Sequence, residues 1–252
     1  MYVSNRSTGD INILTFPEGQ PVGAITGFGE PEGECVDAAG NVYITDAQNA
    51  SIQVFAHGGV APIRTLRYSN AQPYDCSIDP VSGNLAVTNH TFSRKAHSLV
   101  AIFAGAQGTP KTYSFPGFQT PYCGYDGQGN LYIDGSDRRT EIAELPKGGN
   151  AVVNAFLNQP VIHQASILWD GHYVVITSLN PAAYRVTFSG RNGTIVGTTS
   201  LSGTSGDRLG IAGSEIVGAG SDYVYSWGYP AGGTPLHRYS GFTEAADAVV
   251  TP

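Results

Sequence analysis

One segment type recurs six times along the chain, and it constrains the fold more than any other feature. It reads MYVSN from Met1, NVYITD from Asn41, NLAVTN from Asn84, NLYID from Asn130, HYVVITS from His172 and SEIVGAG from Ser214. Each copy is a short, strand-like apolar run. A second apolar strand follows each copy: INILTF from Ile11, SIQVF from Ser51, SLVAIF from Ser98, EIAEL from Glu141, YRVTF from Tyr184 and DYVYSW from Asp222. A third, more amphipathic strand comes next, for example VGAITGF from Val22, PIRTLRY from Pro62 and PLHRYSGF from Pro235, and suits an outer edge. Short strands precede the recurring segments, at Cys35 to Asp37, Cys76 to Asp79, Gly124 to Asp126, Ser166 to Trp169, Leu209 to Ile211 and Asp247 to Val250. Every repeat therefore holds four strands.

Six repeats in 252 residues give 42 residues each, within the roughly 40 to 45 of a four-stranded propeller blade. The last segment, Ala246 to Thr251, is a first-type strand with no second strand after it, and Met1 opens a second-type strand with no first strand before it. The two ends complete one blade, which removes the exposed sheet edges that invite aggregation. The 33 Gly and 15 Pro residues interrupt nearly every stretch long enough for a helix. The expected fold is all-β: a single domain over 1–252, a six-bladed β-propeller of four antiparallel strands per blade, closed by the C-terminal strand joining the N-terminal blade.

The turns Asp37-Ala-Ala-Gly-Asn41, Asp79-Pro-Val-Ser-Gly-Asn84 and Asp126-Gly-Gln-Gly-Asn130 lead into Tyr-Val-Ser-Asn-like strands. In this the chain resembles the YVTN and NHL group of repeat propellers, with the streptogramin-lyase-like proteins as distant relatives. The resemblance covers the whole chain and implies a propeller fold; the group includes lyases, lactonases and plain binding scaffolds, so it implies no single activity. Asp at the turn start and Gly at a positive-φ position are hairpin chemistry, and these turns read as scaffold.

The balance of charge narrows the partners. Twenty acidic against 13 basic residues give a net charge of -7, which opposes a nucleic-acid footprint. No apolar run approaches the roughly 18 residues of a membrane span, so none is expected. Lysine occurs only at Lys95, Lys111 and Lys147, and Thr, Ser, Asn and Gly abound, a composition associated with exported bacterial proteins. An extracytoplasmic or secreted location is expected, the leader not being present in this chain.

No G-x-S-x-G elbow, H-E-x-x-H helix or C-x-x-C pair occurs, so no catalytic residues are singled out. Cys35, Cys76 and Cys123 open the innermost strand of three consecutive repeats, near the mouth of a propeller channel. Three readings stand open for them: small hydrophobes in a tapering channel, a disulfide with Cys76 and Cys123 the better pair, or, with His163, ligands of a divalent metal such as Zn²⁺. Glu34, Tyr74, Asp75, Tyr122, His163, Arg208 and Asp247 occupy equivalent loops and are expected to line a polar ligand site at that mouth. Neighbouring loops add His90, Arg94, Lys95, Arg138 and Arg139. The residues point to an exported binding or interaction module for a small polar ligand or another protein; the alternative is a metal-dependent lyase or hydrolase at the same mouth.

Overall fold

The computed structural model describes residues 1–68, 72–90, 97–116, 121–135, 142–162, 164–203 and 208–252. The described residues form strands throughout, with one 3-10 turn at Ala104–Ala106. The chain divides into two compact units, one of Met1–Pro73 with Ser200–Pro252 and the other of Tyr74–Thr199.

The first unit holds three four-stranded antiparallel sheets. Strands β1 (Tyr2–Asn5), β2 (Asp10–Leu14) and β3 (Pro21–Ile25) make one sheet with the C-terminal strand, and β4 (Pro31–Val36), β5 (Val42–Asp46), β6 (Ser51–Phe55) and β7 (Pro62–Arg67) make the next. In the second unit β8 (Pro73–Ile78), β9 (Leu85–Asn89), β10 (His97–Phe103) and β11 (Lys111–Pro116) form a sheet. There too β12 (Pro121–Tyr125), β13 (Leu131–Gly135), β14 (Ile142–Leu145) and β15 (Val153–Leu157) meet β16 (Gln164–Trp169), β17 (Val174–Ser178), β18 (Ala182–Ser189) and β19 (Asn192–Ser200). These eight form a single sheet, because the outer strands β15 and β19 pair in parallel through Phe156↔Asn192 and Leu157↔Gly193. The first unit is completed by β20 (Arg208–Ala212), β21 (Glu215–Gly220), β22 (Tyr223–Gly228), β23 (His237–Ser240) and β24 (Ala245–Val249), the last of which pairs with β1. That pairing runs antiparallel, Tyr2↔Val249, Val3↔Ala248 and Ser4↔Asp247, so the expected joining of the chain ends is present.

Why the recurring segments are apolar without alternation follows from packing on both faces. Tyr2 of β1 packs with Val42, Ile44 and Phe55, whereas its neighbour Val3 packs with Val217 and Val224. In the second unit Ile133 joins Ala86 and Val100, and the adjacent Tyr132 joins Ile167 and Ile176. A strand sandwiched in this way has no solvent face on which to place polar residues. The outer strands β3 and β7 are exposed along most of their length, as their amphipathic sequences imply.

Hairpin chemistry accounts for the Asp-Gly-Asn turns. Asp37 Oδ1 accepts the amides of Ala39 and Asn41, each at 2.9 Å, and its Oδ2 accepts the Asn41 side-chain amide at 2.8 Å. Asp126 repeats the arrangement with Gln128 and Asn130. Gly40 at φ 81° and Gly129 at φ 89° take the left-handed position that a side chain would resist.

Two local expectations are corrected. The innermost strands begin earlier than their apolar residues suggest, since β4, β8 and β12 each start at a proline, and the first strand position tolerates a residue with no N–H to donate. Cys35, Cys76 and Cys123 thus lie within these strands and do not open them. The second correction is the pairing of thiols: Cys35 and Cys76 are disulfide-bonded and Cys123 is a buried free thiol, so there is no Cys76–Cys123 bridge. Sequence spacing favoured that pair, but bridging depends on Cα separation and Cβ direction, which spacing does not encode.

Candidate functional site

In the first unit the ends of β1, β4, β20 and β24 bring together Ser4, Glu32, Glu34, Arg208 and Asp247. Asp247 Oδ2 accepts the Glu34 amide at 2.7 Å, and its Oδ1 accepts the Ala248 amide at 2.8 Å. Ser4 donates its hydroxyl to Glu34 Oε1 at 2.6 Å, and Glu34 Oε2 is buried with no partner in hydrogen-bonding geometry among the described residues. Arg208, 1% exposed, donates to Glu32 Oε2 at 3.0 Å and to the Ala246 carbonyl at 3.2 Å; Arg6 reaches the same Glu32 oxygen at 2.7 Å.

These contacts set the protonation. Burial, reinforced by the Asp247 charge, pushes the Glu34 carboxyl well above the usual carboxylate range, and the Ser4 hydrogen bond only partly offsets it. Burial also raises Asp247, to about 6, with the Arg208 guanidinium acting against it. Burial thus biases both carboxyls toward the protonated form, with Arg208 opposing it at Asp247.

The second unit repeats one part of this arrangement. Asp75 Oδ2 accepts the Cys123 amide at 2.9 Å. Tyr74 and Tyr122 sit alongside, their hydroxyl oxygens 3.3 Å apart and their rings 5.6 Å apart, with the His90 ring 5.5 Å from that of Tyr74. Opposite Tyr122 in the β12–β13 register stands Asp134, fully buried, with neither carboxylate oxygen hydrogen-bonded among the described residues. Burial and the nearby Asp75 charge raise its pKa well above the usual range. Gln164, at the start of β16, is likewise fully buried, and both its amide atoms lack a partner among the described residues. The Cys123 thiol is pushed up by burial and by Asp75 and Asp134, which makes it a packed, protonated group with little nucleophilic character.

Of the residues expected at the mouth, Glu34, Arg208 and Asp247 meet in the first unit, and Tyr74, Asp75 and Tyr122 meet in the second. His163 lies outside the described residues, as do Arg94, Lys95, Arg138 and Arg139. Being disulfide-bonded, Cys35 and Cys76 have no thiolate to offer a metal. Among the described residues no group of three or more His, Cys, Asp or Glu side chains is placed to hold a metal ion.

Sequence reasoning passed over Asp134 and Gln164. Asp134 stands at the strand end that holds Asn5, Asp46, Asn89 and Ser178 in other repeats. A polar residue there reads as a loop cap, and Asp46 is one: it accepts the amides of Gly29, Glu30 and Asn49. Nothing in the one-letter pattern separates the satisfied Asp46 from the unsatisfied Asp134.

Comparison with known proteins bears on the fold. No family model matches the chain, and no curated protein matches it. Among solved structures, a nidogen/laminin complex superposes with TM-score 0.73 at 16% identity, covering 98% of this chain and 96% of that one. A Bacteroides caccae protein of unknown function superposes with TM-score 0.69 at 11% identity, over 98% and 96% of the two chains. A streptogramin B lyase superposes with TM-score 0.58 at 15% identity, over 83% and 68%. The chain is a β-propeller, and the distant likeness to repeat propellers of the NHL and YVTN type, streptogramin B lyase among them, agrees with the repeats in its sequence. At these identities the likeness is one of fold.

Proposed function

We propose that this chain is an exported binding or interaction module, a single six-bladed propeller that takes a small polar ligand or a protein at the end of its innermost strands. The observation that carries the reading is the pair Asp134 and Gln164: two fully buried polar side chains with four atoms that have no hydrogen-bond partner among the described residues, Asp134 standing opposite Tyr122 in the strand register. Unpaired buried polar groups are costly, and a ligand that donates and accepts hydrogen bonds removes the cost. Six blades follow if the eight-stranded sheet counts as two blades joined by the two-residue contact of β15 and β19. The nidogen/laminin complex supports the idea that a propeller of this shape can serve protein association. Disulfide-bonded Cys35 and Cys76 support an oxidising, extracytoplasmic setting.

The test is an NMR titration of the isotope-labelled protein with a panel of sugars, amino acids and small amines. The expected result is a ligand whose shifts centre on Tyr74, Asp75, Tyr122, Asp134 and Gln164 and vanish in the double variant Asp134→Asn/Gln164→Ala. Ligands that shift only other regions would count against the reading.

A metal-dependent lyase or hydrolase is the second reading. What favours it is the Glu34–Asp247 pair, two buried carboxyls of raised pKa with Arg208 close by, groups of the kind that general acid–base chemistry uses. Stoichiometric metal in the purified protein, with activity lost in Glu34→Gln, would favour this reading over the first.

A further inference from the structure

At the opposite end of the strands from Asp134, the second unit contains a cavity of about 210 Å³ where the β8–β9, β12–β13 and β14–β15 turns meet. Its polar lining consists of Asp79, Ser82, Asn84, Tyr113, Tyr125 and Lys147, and Ile102, Leu131 and Leu145 form an apolar wall. The volume is below the roughly 300 Å³ at which pockets for drug-sized ligands begin, so the space suits one ring with its substituents.

The polar groups are not equally available. Asp79 is committed to its own turn, accepting the Val81 amide at 2.9 Å and the Ser82 hydroxyl. Asn84 Oδ1 accepts the Gly105 amide at 2.9 Å, which leaves its NH₂ as a donor. The Tyr113 hydroxyl donates to the Gly149 carbonyl at 3.3 Å. Tyr125 differs: it is only 6% exposed, yet its hydroxyl makes no hydrogen bond among the described residues. The Lys147 backbone is anchored by its amide to Asn130 Oδ1 at 3.0 Å, and its ammonium has no carboxylate partner among the described residues. Lys111 lies over the ring of Tyr113, a lining residue, at 4.6 Å.

The available groups are therefore donors, a phenol, an amide and an ammonium, set against an aliphatic wall. That combination selects a ring with one apolar face, several hydroxyl or carbonyl acceptors and a negative charge. We propose that this cavity binds a single hexuronate, its carboxylate at Lys147, its hydroxyls at Tyr125 and Asn84 and its apolar face on Ile102, Leu131 and Leu145. The first unit offers an internal comparison. A cavity of about 270 Å³ there is lined by Met1, Ile13, Leu14, Val22 and Val250, with the Tyr2 hydroxyl already taken by the Gly58 amide, and it presents no lysine.

The experiment is an NMR titration with sodium glucuronate and sodium galacturonate, alongside glucose and sodium benzoate. A single ring implies a Kd in the millimolar range. Saturable shifts of the residues around Tyr125 with at least one uronate are expected, weakened about tenfold by Lys147→Met and several-fold by Tyr125→Phe. The Tyr125→Phe protein should melt at or above the parent temperature, because the hydroxyl it loses has no partner among the described residues. Glucose should bind more weakly than the uronate and be indifferent to Lys147→Met. The proposal is overturned if neither uronate gives saturable shifts by about 50 mM, if both substitutions leave the affinity unchanged, or if benzoate or glucose binds as tightly as the uronates.

Discussion

Asp247 holds the backbone amide of Glu34 at 2.7 Å, across from one innermost strand to the next. Asp75 does the same for Cys123 at 2.9 Å, and the two acids occupy the same repeat position: Asp75 stands four residues before the turn residue Asp79, and Asp247 four before Thr251. A buried amide on the unpaired side of an innermost strand has no ladder partner, and an acid from the preceding repeat supplies one. Substituting Asp75→Ala should leave the Cys123 amide unsatisfied and destabilise the protein by about 1–3 kcal/mol. Asp247→Ala should cost more, about 2–4 kcal/mol, because it strands the Glu34 and Ala248 amides together. Denaturant melts of the two variants check the ranking, and a neutral Asp247→Ala would contradict it.

The buried acids also fix a pH dependence. Asp247 is raised in the folded state from 3.8 to about 6, and Glu34 is raised well above 4.5. A carboxyl with a raised folded pKa contributes stability that is full below its unfolded pKa and is lost as pH climbs through the folded one. The Asp247 contribution, about 3 kcal/mol at most, should therefore fade between pH 3.8 and about 6, and that of Glu34 should go on fading above pH 4.5. Glu34→Gln is a neutral stand-in for the protonated acid. Thermal melts from pH 4 to pH 8 should show it level with the parent at the acid end and more stable at the alkaline end; the reverse order would refute the assignment.

The architecture was legible because period and burial write themselves into residue types. NVYITD and NLAVTN are apolar because β5 and β9 have no solvent face, and PIRTLRY is mixed because β7 does. Turn glycines and the joining of β24 to β1 were legible for the same local reasons. The thiol pairing was not, since a disulfide depends on Cα separation and side-chain direction, which spacing along the chain does not encode. Nor was the contrast between Asp46 and Asp134, because satisfaction of a hydrogen bond belongs to the loop around a residue and not to the residue. The turn-end cavity was missed for a related reason: Tyr125 reads as one more core aromatic, and only the geometry reveals that its hydroxyl lacks a partner among the described residues.

Close backbone approach gives a third prediction. A methyl group on Gly124 of β12 would meet the Ile167 carbonyl oxygen at 2.3 Å and its carbon at 2.7 Å, both backbone atoms of β16 that cannot swing aside. Gly124→Ala should destabilise the protein by about 1–3 kcal/mol although β-propensity alone would favour the alanine. Gly83→Ala meets nothing within 4 Å and carries only the penalty of its positive φ, so it should be the milder of the two. Urea melts of both variants decide this, and an undisturbed Gly124→Ala would disprove the close contact.

Thiol counting tests the cysteine assignment. Native protein should give no reaction with a thiol reagent, since Cys123 is buried and its pKa is raised. Denaturation without reductant should expose one thiol, and denaturation with reductant three. Cys76→Ser should lower stability by about 2–4 kcal/mol under oxidising conditions and by far less with reductant present. Three reactive thiols in unreduced, denatured protein would remove the disulfide.

Joining of the two chain ends is the most exposed expectation. β24 supplies the pairing partner of β1 through Tyr2↔Val249 to Asn5↔Ala245, the Ala248 side chain packed with Val3 and Val217, and the Asp247 carboxylate that holds Glu34. A chain ending at Thr243 loses all three at once and leaves the β1 edge, flanked by the buried Tyr2 and Val3, open to other chains. It should be far less stable than the parent and should associate, which light scattering and thermal melts would detect. A synthetic peptide covering residues 244–252 should restore the monomer when added in excess, and the same peptide carrying Asp247→Ala should restore it less well. If the truncated chain stays monomeric and melts with the parent, β24 contributes neither the edge pairing nor the Glu34 clasp to the stability of the sheet.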